Sequence, residues 1–138
     1  MISRSTGRRA SAAHASTAYY ADILEHLRDP WRLLASQREL LAPGGHVVVS
    51  LPNVRHYPVV LGLLRGRWRY QDEGVLDRSH LRFFTRDSAR ELVSGAGYRM
   101  VEIAGEEYAS SAARAVNLSS LGLLRDFLVR QHLLVATR

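Results

Sequence analysis

The sequence contains no cysteine, which excludes disulfides, thiolate metal sites and cysteine nucleophiles. Lysine is missing as well: all 19 basic residues are arginine. Selection for phosphate contacts normally retains some lysines, so the pattern reads first as coding bias. A net charge of +6 favours anionic ligands in general. The arginines are nevertheless scattered, with Asp72, Glu73, Asp77, Asp87 and Glu91 among them, and they form no stripe. Nucleic acid is therefore not expected as the partner. Long apolar runs are lacking too. The longest, Val47 to Leu51 and Val59 to Leu64, fall far short of the roughly 20 residues that a spanning helix needs. No membrane partner is expected, and the expected location is cytoplasmic.

What remains is a chain of 138 residues with 46% apolar content, enough for one domain and one core. Folding at this length buries roughly 68% of the unfolded surface, so a core forms without a staple or metal. The first 21 residues differ in texture, with Arg4, Arg8 and Arg9, several Ser and Ala, and no acid. Their composition is that of a transit peptide, but no arginine-bearing amphipathic helix can be traced in them. Residues 1–21 are expected to be a disordered leader or sequence foreign to the fold, and residues 22–138 to form the domain.

From Asp22 onward helices and strands alternate. Asp29 is placed to cap a helix that Pro30 opens, where the missing N–H does no harm. Leu33, Leu34, Leu40 and Leu41 supply its apolar stripe, and Pro43-Gly44-Gly45 is expected to end it. The run His46 to Leu51 reads as a strand buried on both faces. A short helix is predicted over 58–64, then an irregular stretch to Thr85. Thr85 or Asp87 caps the next helix, which Gly95 and Gly97 close, and Tyr98 to Ala104 reads as a strand. Residues 105–118 read as loop, Leu121 to Val129 as helix, and His132 to Thr137 as the last strand.

Six segments appear in order: Asp22-Ile-Leu-Glu-His-Leu27, Asp29-Pro30, Leu41-Ala-Pro-Gly-Gly45, Ser50-Leu-Pro-Asn53, Asp77-Arg-Ser-His-Leu-Arg-Phe-Phe-Thr85 and Gly95-Ala-Gly-Tyr98. Together they resemble the C-terminal half of a class I S-adenosylmethionine-dependent methyltransferase, of the bacterial group with an Asp-x-Leu-Glu-His-Leu segment. The resemblance implies an α/β, Rossmann-like fold of which strands 4-5-7-6 and their flanking helices are present. Thr17 to Ala21 would be the remnant of strand four. Such a remnant is short, so it is expected to fray or to leave strand five as an edge along which two chains pair. The family's glycine-rich cofactor loop and ribose-binding acid belong to strands one and two, and nothing before Asp22 matches them.

The resemblance implies methyl transfer to a small-molecule or saccharide acceptor, with S-adenosylmethionine as cofactor and few of its contacts, chiefly near Asp22 and Leu24, on this chain. The competing expectation is a non-catalytic fragment, acting as an interaction module or as half of a split enzyme completed by an N-terminal half. Glu25 and His26, after strand four, and His80 are candidates for handling the acceptor's proton. A similarity to small-RNA 2′-O-methyltransferases, which bind a divalent metal through an acid-x-x-Glu-His run and a later histidine, implies that Asp22, Glu25, His26 and His80 lie close together. The expectation is proximity without metal. Asn53 either bonds a substrate or closes the Pro52 turn. Arg82, on the face of His80 if that segment is extended, is a second substrate candidate. Arg65, Arg67 and Arg69, alternating with Trp68 and Tyr70, either grip an anionic acceptor or form a solvated face. His14, His46, His56 and His132 read as structural.

Overall fold

A computed structural model describes residues 15–138. The leader reading for residues 1–14, His14 included, lies outside the described residues. One mixed sheet organises the rest. Its strands are β1 (Ala15–Ala21), β2 (Leu41–Pro52), β3 (Arg99–Glu107) and β4 (Val129–Thr137), in the order β1-β2-β4-β3. β1 runs parallel to β2, whereas β4 is antiparallel to both β2 and β3. This is the expected 4-5-7-6 order, with the last strand in sequence inserted antiparallel.

The sheet buries one face. Val47, Val49 and Leu51 of β2 and Leu134 and Ala136 of β4 are sealed beneath α1 (Pro30–Gln37) and α3 (Arg86–Gly95), with Leu24, Leu34, Leu92 and Val93. On the other face Tyr19 is 71% exposed and Leu133 43%. The strand over 46–51 is therefore not buried on both faces, because α1 and α3 pack on the same side. Capping follows the local sequence. Asp29 accepts from Arg32 N–H at 2.9 Å to start α1, and Thr85 with Ser88 makes a reciprocal capping box for α3.

Four expectations are corrected. β1 begins at Ala15, so residues 15–21 are paired in the sheet where a leader or a short remnant was expected, and β1, not β2, is the outer strand among the described residues, because β4 already holds β2 extended as a template for pairing. The first helix ends at Gln37 and a 3-10 turn, Arg38–Leu40, follows, leaving Leu40 58% exposed and off the stripe. Pro43-Gly44-Gly45 is not a helix stop but a bulge inside β2: Ala15 pairs with Leu41 and Thr17 with His46. Residues 105–118 are not loop. β3 continues to Glu107 through pairing with Val129, and Ser110 caps α4 (Ser111–Ser119) by accepting from Ala113 N–H.

The other helices are α2 (Tyr57–Leu64) and the single turn α5 (Arg125–Leu128). The helix expected from Leu121 does not form there, since Leu121 and Gly122 both have positive φ, 55° and 81°.

The bulge generates a stability prediction. A Cβ on Gly45 would lie 2.9 Å from the Ala42 carbonyl oxygen and 3.2 Å from that of Ser16, both backbone. Gly45→Ala is expected to lower unfolding free energy by about 1–3 kcal/mol. Gly95→Ala, where a Cβ meets nothing within 4 Å, is expected to be neutral or to stabilise by up to about 1 kcal/mol. Urea midpoints of the two variants against the parent check this.

Candidate functional site

The chain leaves β1 through Asp22, whose φ of 51° turns it sharply into a one-turn 3-10 helix, Leu24–His26. That turn sits at the carboxyl end of parallel β1 and β2, where open α/β sheets place ligands. Glu25 is the tie to the rest of the site. Its backbone carbonyl accepts from Leu81 N–H at 2.8 Å and Arg82 N–H at 3.0 Å, which fixes the distant segment 77–84 against the turn. Asp77 shapes that segment by accepting from the backbone N–H and the hydroxyl of Ser79, bonds that hold its carboxyl below the usual range.

The result is a cluster of Glu25, His26 and His80. The His80 and His26 rings lie 4.8 Å apart between centroids at 72°, and His80 Nε2 is 4.0 Å from Glu25 Oε1. His80 Nδ1 contacts the Val75 carbonyl oxygen at 3.1 Å. That acceptor requires Nδ1 to carry a proton, so in the neutral ring it is Nε2 that keeps a free lone pair. Glu25 is 1% exposed and neither carboxylate oxygen has a hydrogen-bond partner. Burial pushes its carboxyl up from the ordinary value, with neighbouring Asp22 adding to the rise and His80 and His26 opposing it.

A cleft of about 230 Å³ opens over these groups, walled by Asp22, Glu25, His26, Asp77, His80 and Arg130. Ligand atoms of Glu25, His26 and His80 all lie within 4.8 Å of one another, a mixed imidazole and carboxylate set that suits a divalent ion. Asp22 stands apart: its carboxylate accepts from Gln131, which also reaches Ser50 Oγ. Three of the four expected groups therefore converge.

The remaining candidates fall elsewhere. Leu24 is fully buried in the core, so its side chain lines no open cleft. Asn53 is fully buried as well. It donates to the Asp126 and Val129 carbonyls at 2.9 Å and accepts from Arg55 N–H at 2.9 Å. With its amide spent on backbone, it joins β2 to the start of β4 instead of meeting a substrate. Arg82 turns away from the cleft; it donates to the Arg28 carbonyl and lies over Trp31 at 5.8 Å. Segment 80–84 is thus not a regular extended strand with His80 and Arg82 on one face. Arg65, Arg67 and Arg69 are exposed while Trp68 packs edge-on against Phe83 at 5.2 Å, the solvated-face alternative. His56 touches the Tyr108 carbonyl at 2.8 Å and His132 lies 3.7 Å from Asp126; burial pulls both imidazoles down. Arg130, Gln131 and the 73–75 turn line the cleft without having been anticipated. Gln131 carries no signal in the sequence, since it stands between Arg130 and His132 and is one of three consecutive polar residues.

A mixed sheet of this order, with a titratable cluster at the carboxyl end of its parallel pair, is a Rossmann-like α/β arrangement. A family model described as a methyltransferase domain matches residues 4–103, and the chain belongs to that family. The match takes in residues 4–21. Over 86 residues the chain is 33% identical to a ubiquinone biosynthesis O-methyltransferase of Cereibacter sphaeroides, covering 61% of this chain and 34% of that protein. The chain thus matches about a third of the length of its curated relatives. Among solved structures, a SAM dependent methyltransferase from Archaeoglobus fulgidus superposes with a TM-score of 0.62 at 15% identity, over 91% of this chain and 60% of that one. An S-adenosylmethionine dependent methyltransferase from Mesorhizobium loti gives 0.51 at 18% identity, over 89% and 62%.

The cleft among the described residues does not enclose a group the size of S-adenosylmethionine. The cleft is smaller than the roughly 300 Å³ at which ligand pockets begin. Among the described residues no glycine-rich loop faces it.

Glu25 makes the pH dependence testable. Because burial raises its folded-state value, the folded chain holds this proton more tightly than the unfolded one. The associated stability is fully present below the ordinary value of 4.5 and is lost as pH rises through the raised value. Glu25→Gln, compared with the parent at pH 5 and pH 8 so that titrations of groups distant from Glu25 cancel, is expected to gain about 1–2 kcal/mol more at pH 8. Equal midpoint differences at the two pH values would show the carboxyl to be unperturbed.

Proposed function

We propose that this chain supplies the acceptor half of an S-adenosylmethionine-dependent O-methyltransferase acting on a small-molecule hydroxyl, saccharides among the candidate classes. The observation that carries the reading is the buried Glu25 carboxylate, without a hydrogen-bond partner, 4.0 Å from His80 Nε2 in the wall of the cleft. The cofactor supplies an activated methyl group when bound by the rest of such a domain. His80 Nε2 receives the acceptor's proton, Glu25 stabilises the imidazolium that results, and His26 borders the same space. The protein's other task is positioning, with acceptor oxygen and donor carbon held about 3 to 3.5 Å apart. The O-methyltransferase relatives support oxygen as the receiving atom. No helix among the described residues is long and apolar enough to cross a membrane, and a cytoplasmic site of action accords with a diffusible cofactor.

Specific support also exists for a second reading, a half completed by another segment. β1 is the outer strand of the sheet beside β2, with nothing paired on its far edge among the described residues, a geometry that favours addition of a parallel strand. Light scattering over a range of concentrations separates self-association through this edge from a monomer that waits for its complement.

Two measurements test the catalytic reading. Calorimetry of the folded chain with S-adenosylmethionine is expected to give a dissociation constant weaker than about 1 mM, since most cofactor contacts are missing and ordering costs remain. A low-micromolar constant overturns the division into halves. Fused behind the glycine-loop portion of a relative, the chain is expected to transfer labelled methyl to one of a panel of hydroxylated acceptors, with rates reduced about 100-fold or more by His80→Asn. Transfer that is indifferent to His80 removes its proposed role.

A further inference from the structure

The cleft over Glu25 and His80, about 230 Å³, does not end at its own walls. Arg130 and Gln131 are consecutive in β4, so their side chains leave on opposite faces of the sheet. Both line the cleft, and each also lines a hollow of its own. On the Gln131 side a hollow of about 460 Å³ shares Asp22 with the cleft and continues past Ser50 to Glu106. On the Arg130 side a hollow of about 400 Å³ shares the 73–75 turn with the cleft and reaches Val59 and Tyr108. Sharing walls in this way, the three form a trench along the carboxyl end of the sheet. In the wall of its middle part stands the Glu25 carboxylate, 1% exposed and without a hydrogen-bond partner. The trench is open, because Tyr108, Glu73, Glu106 and Arg130 are all exposed. A small ligand is ordinarily enclosed over most of its surface. Walls this exposed suit a chain-like ligand that crosses several hollows and gains a little from each.

Charge and shape select that ligand. The trench carries five carboxylates, Asp22, Glu25, Glu73, Asp77 and Glu106, against one guanidinium, Arg130, and the imidazoles of His26, His56 and His80. Among the described residues Glu73, Glu106 and Arg130 enter no ion pair. This is an acidic strip on a chain of net charge +6, and it repels phosphate, sulfate and carboxylate groups. Carboxylates, amides and a guanidinium are planar groups whose paired acceptors or donors each meet two neighbouring hydroxyls. Tyr108, 65% exposed with Arg130 over its ring at 5.6 Å, adds a flat amphipathic platform, and Val59, Val75 and Leu76 add an apolar floor. A sugar chain offers the matching surface, since hydroxyl edges and C–H faces alternate along it. We propose that the acceptor is an oligosaccharide without acidic groups, lying along this trench with one hydroxyl at His80 and a neighbouring ring against Tyr108. The inference rests on the reading of the cleft as an acceptor site and narrows it.

Capture of the full chain on an array of neutral, amino, uronic, sulfated and phosphorylated oligosaccharides tests it. Binding is expected to neutral or amino glycans of two or more units, and about tenfold weaker to their acidic counterparts. Tyr108→Ser alters an exposed side chain and keeps the backbone carbonyl that meets His56, so the variant should retain the parent's circular dichroism. Its capture by the same glycans is expected to fall about tenfold. An array that captures nothing overturns the proposal, as does capture that favours acidic glycans or that Tyr108→Ser keeps in full. The two readings fail separately. A blank array together with His80-dependent methyl transfer to a non-sugar hydroxyl removes the oligosaccharide and leaves the acceptor cleft, whereas glycan capture with transfer indifferent to His80 leaves the trench and removes the base.

Discussion

The pairing of β2 on both sides governs the structure. β4 lies antiparallel along it from His46 to Pro52, and β1 lies parallel along its opposite edge as far as Ser50. Holding β2 extended sets Val47, Val49 and Leu51 toward α1 and α3, which makes the core. The same pairing brings the end of β1, the end of β2 and the start of β4 to one place. Asp22, Pro52 and Gln131 line the same cleft for that reason. The bulge at Pro43-Gly44-Gly45 belongs to this constraint. It takes up the extra residues between Leu41 and His46 while Ala15 and Thr17 stay in register, and it requires glycine where backbone approaches backbone.

The cleft depends on a second, smaller tie. Two N–H groups from segment 77–84 meet the Glu25 carbonyl, so the backbone that buries the Glu25 side chain also delivers His80 to it. Burial of a carboxylate without a hydrogen-bond partner opposes stability, and the two imidazoles beside it are the nearest groups that offset that cost. The Asn53 amide shows the contrary case. Equally buried, it has every strong bond answered by backbone and serves only to hold β2 to the β4 entry.

Three surfaces remain uncovered in different ways: the outer edge of β1, the sheet face bearing Tyr19 and Leu133, and the leucine patch over α2, α4 and α5. The first two are continuous with a sheet, and extension or covering of that sheet suits them. The third lies over helices and not along the sheet, and its lining is almost wholly apolar.

Local chemistry made much of this legible in advance. Asp29-Pro30 and Thr85 mark helix starts because a cap acts within three residues, and the β-branched run at Val47 to Val49 needs no distant information to read as strand. A family resemblance carried by six short segments implied the 4-5-7-6 sheet, and a second one, to small-RNA 2′-O-methyltransferases, implied the nearness of His80 to Glu25. What the sequence could not decide were pairings across long separations. Gln131 reaches Asp22 across 109 residues, and Asn53 reaches Val129 across 76. Neither side chain carries a local mark of its partner. Whether Pro43-Gly44-Gly45 stops a helix or bulges a strand depended on β1 lying beside it. Whether residues 105–107 were loop depended on Val129 lying opposite. A hydrogen bond within a turn is written in neighbouring residues, whereas a ladder or a buried amide is settled only by whichever strand the fold brings alongside.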